Sequence, residues 1–372
     1  YETKELVHEL FIRKEIKQPY TFEEDLHILK ILESIERSSV DGVKEIVRKW
    51  HYMRIGIRER KHMEDKTKKK ISSQYEGKKI LVTGGTGSVG TGIVKQLLKY
   101  KPNNIRIISN DENSIFELKR KFGNQKNMTY MVGDVRDLDR IKLAIRDIDI
   151  VFHAAAMKHI DICEQNPFDA VKTNVIGTSN VIEAALLENV SKFIFISTDK
   201  ATNPSSTLGA SKLLAERITQ DAGYYRGLGK TIFSIVRFGN VLGSRGSVFQ
   251  IFHDQLKSGK SLTVTDPEMT RFIMSISDAA SLILKVTSIA KDGEIFILKM
   301  PSVNILDLAK TMINVYKLRS PKSKIQPIKI GRARERERLS EFLITANEIP
   351  YCHDESTMYR ISKTESKEKI HP

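Results

Sequence analysis

The sequence predicts an α/β protein built on a doubly wound parallel sheet. Short apolar runs alternate with amphipathic helical patterns from about residue 78 to about residue 245, as expected for parallel strands joined by crossover helices. The first apolar run, 79–82, leads into a glycine-rich turn and then a helical pattern. This order of strand, turn and helix is typical of the Rossmann-type fold.

Composition sets the broad class. The 372 residues are 40% hydrophobic and 29% charged, which is ordinary for a globular protein with one large or two modest domains. No apolar run of about eighteen residues occurs, so no membrane span is expected. No signal peptide is visible, and Cys163 and Cys352 match no metal or disulfide spacing. We therefore expect a cytoplasmic protein without a metal site.

The net charge of +15 favours polyanionic partners. The basic residues are spread along the chain apart from a run at 58–70, and no aromatic-interleaved basic motif is present. Phosphorylated small molecules suit such a surface as well as nucleic acid does. We expect a small phosphorylated partner and no nucleic acid; a merely solvated basic surface is the alternative.

The chain divides into four parts by pattern. Residues 1–75 predict a helical N-terminal extension and charged linker, and 76–245 predict the dinucleotide-binding domain. Shorter, mixed elements over 246–350 predict a smaller substrate-binding lobe interleaved with that domain. Residues 351–372 predict a polar, poorly ordered tail.

The glycine-rich turn spans residues 83–90. Gly84 permits a tight turn, Gly87 lets the backbone approach a pyrophosphate, and Gly90 lets the following helix pack closely on the strand. The helix N-terminus then offers unpaired N–H groups to phosphates; a turn without a ligand is the alternative. The candidate cofactor-binding residues here are Gly84, Thr86, Gly87, Ser88, Val89 and Gly90.

The next three strands supply further candidate cofactor contacts. Ser109 follows the second strand, where NAD-binding proteins carry an acidic residue; a small polar residue leaves room for a 2′-phosphate. This favours NADP over NAD, with NAD still possible. Asp134 after the third strand suits the adenine amino group or a helix N-cap. The set is Ser109, Asn110, Asp134, Val135, Ala154, Ala155 and Ala156.

Asp199 and Lys200 follow the apolar run 193–196, at the strand end where ligands bind in an open parallel sheet. Lys212 lies further on, in a helical pattern starting near residue 210. Together they offer an acid, a base and a cation to one cleft. The alternative is an exposed turn with two solvated lysines.

Several basic residues lie in predicted loops. Lys158 follows the fourth strand, and Arg245 and Arg271 lie in later loops. The arginine-rich stretch 321–341 is either a solvated charged helix or a clamp for a diphosphate, which the planar guanidinium suits.

The chain resembles the extended short-chain dehydrogenase/reductases. The resemblance rests on the motifs above and on those at 155–159, 174–178, 239–248 and 265–272. More narrowly, the chain resembles the nucleotide-sugar 4,6-dehydratases of the CapD/FlaA-type polysaccharide-biosynthesis family. The resemblance implies NAD(P)-dependent 4,6-dehydration of a UDP-N-acetylhexosamine, such as UDP-N-acetylglucosamine, by a homo-oligomer.

The resemblance also implies residue roles. Lys200 would remove the C5 proton, Asp199 would protonate the departing C6 hydroxyl, and Lys212 would bind the nicotinamide ribose. The substrate-binding residues would be Lys158, Asn174, Thr198, Asn240, Arg245, Ser247, Arg271 and Glu337.

Two departures keep alternatives open. Leu208 occupies the position of the usual tyrosine four residues before Lys212, and leucine cannot transfer a proton. The segment 331–338 begins with Gly331 but lacks the internal Pro-Gly pair of the family's Gly-x-Arg-Pro-Gly-Glu-Lys pattern and has one extra residue. A sugar-nucleotide 4-epimerase, and a catalytically degenerate homologue that only binds cofactor, are therefore the competing hypotheses.

Overall fold

The computed structural model describes residues 71–320, 324–332, 336–355 and 357–366. The predicted N-terminal extension and linker, 1–75, lie outside the described residues except for 71–75. Two compact units are present. The larger contains residues 71–239, Asp278–Lys299 and 341–366, and the smaller contains Asn240–Ser277 and Met300–Ser340.

The larger unit is organised on a nine-stranded sheet of order β13-β14-β10-β6-β5-β4-β1-β2-β3. In this sheet, strands β3, β2, β1, β4, β5, β6 and β10 run parallel to one another, and β14 and β13 are antiparallel additions at the β10 edge. The order 3-2-1-4-5-6 confirms the predicted Rossmann-type sheet. Its strands are β1 Lys79–Thr83, β2 Asn104–Ser109, β3 Met128–Val132, β4 Ile150–His153, β5 Lys192–Ile196, β6 Ile232–Arg237, β10 Glu294–Leu298, β13 Cys352–Asp354 and β14 Met358–Ile361.

Helices connect these parallel strands. They are α1 Ser88–Leu97, α2 Glu112–Phe122, α3 Leu138–Ile145, α4 Ile160–Gln165, α5 Pro167–Val171, α6 Gly177–Leu187, α7 Thr207–Asp221 and α9 Ile276–Ile289. A π-helical stretch, Lys172–Ile176, joins α5 to α6. Among the described residues, no helix is both long and apolar enough to cross a membrane.

The central strands are buried because helices cover both faces of a parallel sheet. Their apolar side chains therefore form continuous runs, as at Phe193–Ile196, rather than alternating ones. Phe193, Phe195 and Phe233 lie in one core with Ile141 and Val181 from the covering helices.

Helix α1 begins earlier than the sequence pattern predicts. Apolar periodicity starts only at Ile93, but the helix begins at Ser88. The predicted start of the helix was wrong because Gly90, which has no side chain, lies in the first turn and interrupts the apolar periodicity.

The predicted polar tail after residue 350 is a second correction. Strand β14 pairs with β10, and β13 pairs with β14. Ile361 and Cys352 are buried in the main core. These strands are short and polar, so their extended structure depends on pairing with β10, which local sequence does not report.

The smaller unit contains β7 Asn240–Val241, β8 Thr263–Val264, β9 Thr270–Met274, β11 Ser302–Asn304 and β12 Lys329–Ile330, with helices α8 Val248–Lys257 and α10 Ile305–Arg319. Its strands form a three-stranded and a two-stranded sheet. Phe252, Leu256 and Leu308 form its separate apolar core. The described residues 324–332 and 336–341 contain no helix, so the charged-helix interpretation of this stretch is wrong there.

Candidate active site

The turn after β1 requires glycine at two positions. Gly84 has φ +62, and a Cβ there would lie 2.7 Å from the Ala155 Cα. A Cβ on Gly90 would overlap the Gly84 carbonyl oxygen. The turn is therefore packed closely against the end of β4 on one side and against the start of α1 on the other.

The N-terminus of α1 follows this turn and has no capping side chain. Gly87 is the N-cap and supplies no side-chain oxygen, and the first turn, which holds Ser88 and Val89, carries no acidic residue. Backbone N–H groups at such an end bind anions, helped by the helix dipole. These residues fit a dinucleotide pyrophosphate.

The end of β2 contacts this turn through a hydroxyl pair. Thr86 Oγ1 donates to Ser109 Oγ at 3.0 Å. Ser109 is buried and also accepts from the Asp111 backbone N–H at 3.3 Å. Two predicted cofactor residues are thus brought together, and no carboxylate occupies the position of Ser109.

The Asp134 carboxylate is already paired with a cation. Arg136 donates to its Oδ2 at 2.7 Å and to its Oδ1 at 3.0 Å, and Asn110 donates to Oδ2 at 3.2 Å. Partial burial raises the pKa of Asp134, but the hydrogen bonds and charge of Arg136 outweigh it and hold the pKa below its ordinary value. The side chain of the neighbouring Val135 packs in the core against Gly177, so only the backbone of this predicted cofactor residue remains for a contact.

A buried hydrogen-bonded chain lies at the start of the loop Ala154–Ala156. The Ala155 N–H donates to Thr83 Oγ1 at 3.3 Å, and Thr83 Oγ1 lies 2.7 Å from His153 Nδ1. His153 Nε2 lies 3.0 Å from Thr178 Oγ1, which donates to the Asn174 carbonyl at 2.6 Å. One direction satisfies every link, with the proton of a neutral His153 on Nε2.

Burial and the charge of Lys212 lower the pKa of His153 to about 3. The imidazole is therefore neutral at physiological pH. We did not identify His153 from the sequence, because a buried histidine within an apolar strand carries no pattern of its own.

Asp199 and Lys200 lie in a tight turn directly after β5, within a 3₁₀ stretch capped by Thr198. Lys200 Nζ donates to Asp199 Oδ1 at 2.9 Å, and Thr198 Oγ1 donates to the same oxygen at 2.9 Å. Asp199 is fully buried, whereas the Lys200 side chain is 16% exposed. The predicted acid and base are thus in direct contact.

Two polar atoms of this turn lack partners. Asp199 Oδ2 and Ser197 Oγ are buried without a hydrogen bond to any residue that the structure describes. Leaving a buried polar group unsatisfied costs about 1–3 kcal/mol. Unpaired atoms of this kind are expected where a bound molecule completes the hydrogen bonding.

Lys212 is buried beside the same strand end. Its Nζ donates to the Ile196 carbonyl at 2.7 Å and lies 4.0 Å from the centre of the Phe195 ring. Burial lowers the pKa of Lys212 to about 7, although the nearby Glu216 raises it. The amine therefore changes charge near neutral pH.

Leu208 lies in an apolar cluster with Cys163 and Ala170. Its neighbour Gly209 lets α7 approach the turn, because a Cβ there would overlap the Lys200 carbonyl oxygen. Leu208 thus packs as a core residue at the position of the usual tyrosine.

The prediction that Asn174 contacts the substrate disagrees with its position in the structure. It is buried, its Oδ1 accepts from the Met157 N–H at 2.8 Å, and its Nδ2 donates to the Met157 carbonyl and the Ser211 hydroxyl. Its amide therefore holds the loop before the exposed Lys158. Its place in the π-helical stretch is typical of functional regions.

A residue missed by the sequence analysis completes the turn. Glu341 is buried, and its Oε1 lies 3.7 Å from Lys200 Nζ. Phe342 follows, and its carbonyl accepts from Thr202 Oγ1. No sequence signal links Glu341 to Lys200, because the two are far apart along the chain.

The smaller unit brings together two predicted substrate-binding residues. Arg271 donates to Glu337 Oε1 at 3.1 Å and to the Leu339 carbonyl at 3.0 Å. Ser247 caps α8 by accepting from the Gln250 N–H, and Arg245 is exposed. Asn240 lies in β7, beside Ile273 of β9.

Comparison with curated proteins gives relatives with different names. An uncharacterized membrane protein of Methanocaldococcus jannaschii is 54% identical over 75% of this chain and 84% of its own. A UDP-N-acetylglucosamine 4,6-dehydratase (inverting) of Campylobacter jejuni is 42% identical over 77% and 84%. A UDP-glucose 4-epimerase of Rickettsia bellii is 38% identical over 77% and 83%.

Solved structures share the fold. The X-ray structure of Pen from Bacillus thuringiensis is 41% identical, with a TM-score of 0.75 over 77% of this chain and 88% of that one. The dTDP-glucose 4,6-dehydratase DesIV of Streptomyces venezuelae, solved with NAD and TYD bound, is 21% identical, with a TM-score of 0.62 over 70% and 86%.

A family model described as polysaccharide biosynthesis protein matches residues 80–363. That range includes the glycine-rich turn, the Asp199–Lys200 turn and the Arg271–Glu337 pair. The chain therefore belongs to this family, whose fold is that of the short-chain dehydrogenase/reductases that act on nucleotide sugars.

Proposed function

We propose that this protein is a nucleotide-sugar 4,6-dehydratase that acts on a UDP-N-acetylhexosamine, with UDP-N-acetylglucosamine as the first candidate. The observation that carries the proposal is the contact between Lys200 and Asp199, with a buried, unpartnered Asp199 Oδ2. Dehydration needs a base and an acid at adjacent carbons, and a 4-epimerase needs no acid at C6.

The larger unit fits a nicotinamide dinucleotide. Gly84 and Gly90 leave no space for a Cβ, and the uncapped N-terminus of α1 suits a pyrophosphate. When bound, such a cofactor supplies an acceptor for the C4 hydride and returns that hydride to C6. We propose that Lys212, which has donors left after its bond to the Ile196 carbonyl, holds the nicotinamide ribose.

We propose NADP as the cofactor. Ser109 bears no negative charge to repel a 2′-phosphate, and its hydroxyl already pairs with Thr86. NAD is the alternative, supported by its presence in the DesIV structure. Titration of the protein with each dinucleotide decides this: NADP binding tighter than NAD supports the assignment, and the reverse order contradicts it.

The turn after β5 supplies the proton chemistry. Lys200 Nζ takes the proton from C5, which the C4 ketone makes acidic, while Asp199 gives its proton to the C6 oxygen. The C6–O bond breaks, and water leaves. Lys200 is then an ammonium and Asp199 a carboxylate. The 2.9 Å hydrogen bond between Nζ and Oδ1 lets one proton return from Lys200 to Asp199, which restores both groups. The C4 hydroxyl proton passes to solvent when the ketone forms, and C5 takes one proton from solvent when C6 receives the hydride.

The smaller unit supplies candidate anion-binding groups for the nucleotide. We propose Arg271 and Arg245 as cations for the diphosphate, with Glu337 orienting the Arg271 guanidinium at 3.1 Å. Lys158 in the larger unit is a third candidate cation. Arginine suits this role because its planar fork matches phosphate oxygens.

Mass spectrometry of the product tests the reaction. The purified protein, incubated with NADP and UDP-N-acetylglucosamine, is expected to give a product lighter by one water. A product of unchanged mass with an inverted C4 would instead identify a 4-epimerase, which the Rickettsia bellii relative favours. Nucleotide binding without any product would identify a degenerate homologue.

A further inference from the structure

Among the described residues, both Asp199 and Glu341 place a carboxylate close to the Lys200 amine. Asp199 Oδ1 lies 2.9 Å from Nζ and accepts a hydrogen bond from it. Glu341 Oε1 lies 3.7 Å from the same nitrogen, beyond hydrogen-bond length but within range for a charge interaction. From these contacts we infer that Glu341 is a positioning residue for the proposed dehydration, acting through Lys200; this inference rests on the proposed function.

The two carboxylates differ in what they can do. Asp199 is both hydrogen-bonded to Lys200 and left with an unpartnered oxygen, which suits a group that gives up and recovers a proton. Glu341 has no part in that exchange, so its charge can stay constant through the reaction. Positive charge develops on Nζ as the C5 proton arrives, and a fixed, buried carboxylate nearby stabilises that charge.

The backbone around Glu341 is held against the same turn. The carbonyl of Phe342 accepts from Thr202 Oγ1. The next carbonyl, of Leu343, accepts from Arg237 at 3.0 Å, and Arg237 also pairs with the buried Glu348. The Glu341 side chain is 5% exposed. This degree of fixing is expected of a preorganised charge rather than of a surface ion pair, which contributes little.

The test uses Glu341→Gln, which keeps the shape and removes the charge. We expect kcat to fall about 10- to 100-fold, with KM and the affinity for NADP nearly unchanged. The kinetic isotope effect of substrate deuterated at C5 should increase, because proton removal becomes more rate-limiting. A purely structural role for Glu341 would not change that isotope effect.

Two further variants make the test specific. Glu341→Asp restores the charge and should recover part of kcat. Glu355→Gln is the matched control: Glu355 lies in the same C-terminal segment and pairs with Arg360 at 2.8 Å, so kcat and the isotope effect should match those of the wild type.

The outcomes separate this inference from the proposed function. If the wild type releases no water from the substrate, the proposed function fails. If the wild type is active and Glu341→Gln has the same kcat and isotope effect, the inference alone is overturned. Loss of NADP binding in both Glu341 variants would assign Glu341 a folding role and would also overturn it.

Discussion

The two turns at the carboxyl ends of β1 and β5 are built in different ways. The glycine-rich turn, 83–90, takes its shape from its own glycines: Gly84 takes φ +62 and the Gly87 N–H donates to the Gly84 carbonyl. Distant residues, such as Ile108, whose carbonyl accepts from the Gly84 N–H, hold it in place through its backbone. The turn at 197–202 is completed by distant residues. The Asp199 N–H donates to the Phe238 carbonyl, and Lys200 pairs with Glu341. A backbone site can thus be encoded locally, whereas a proton-transfer site needs partners from elsewhere in the chain.

The largest expected effect is on the second turn. Lys200→Met removes the proposed base and keeps similar bulk, so kcat for dehydration should fall about 1000-fold while NADP still binds. Steady-state kinetics and a cofactor titration measure both. Lys142→Met removes another ion-paired lysine, bonded to Glu183, and should leave both properties intact. Retained dehydration in Lys200→Met would exclude Lys200 as the base.

The glycine turn is tested by Gly84→Ala. The added Cβ meets the Ala155 backbone at 2.7 Å and the residue must keep φ +62, so we expect a loss of roughly 3 kcal/mol in the free energy of unfolding and weaker NADP binding. Gly227 has φ +56, and a Cβ added there would meet nothing within 4 Å. Gly227→Ala should therefore cost only about 1 kcal/mol, the backbone cost of the left-handed conformation. Equal losses in urea unfolding would contradict the role of close packing.

Lys212 provides a pH test at the end of β5. Burial lowers its pKa to about 7, below about 10.4 in an unfolded chain. Between these values the unfolded state binds more protons, so stability contributed by this group rises with pH, by at most about 1.4 kcal/mol per unit. Lys212→Met should flatten that rise in urea-unfolding free energies measured from pH 7 to 10. An unchanged slope would show that folding does not lower the pKa of Lys212.

His153 gives a pH test on the acid side. Burial lowers its pKa to about 3, whereas an unfolded histidine titrates near pH 6.5. The unfolded state therefore gains protons first, and stability from this group falls as pH falls from about 6.5 towards 3. His153→Gln should lessen the decline in unfolding free energy over that window. A decline identical to the wild type would indicate that the imidazole charges within the folded protein.

The sequence predicted well where structure is local or repeated. The sheet, the glycine turn and the strand-end position of Asp199 follow from apolar runs and glycine spacing. It failed where a role depends on a partner. Asn174 was predicted to bind substrate, yet its amide is bonded to Met157 and Ser211. Glu341 was missed because its role depends on contact with Lys200, which is distant in sequence. Strand β14 was missed because its extended conformation depends on pairing with β10.

The central claim is that Lys200 and Asp199 together remove water from an oxidised hexose. NMR of the product formed from UDP-N-acetylglucosamine in deuterated water tests it most directly. The account predicts a 4-keto-6-deoxy product that carries solvent deuterium at C5 when made by the wild type, and no such product with Lys200→Met. A wild-type product that retains its C6 hydroxyl and its original C5 hydrogen would contradict the account.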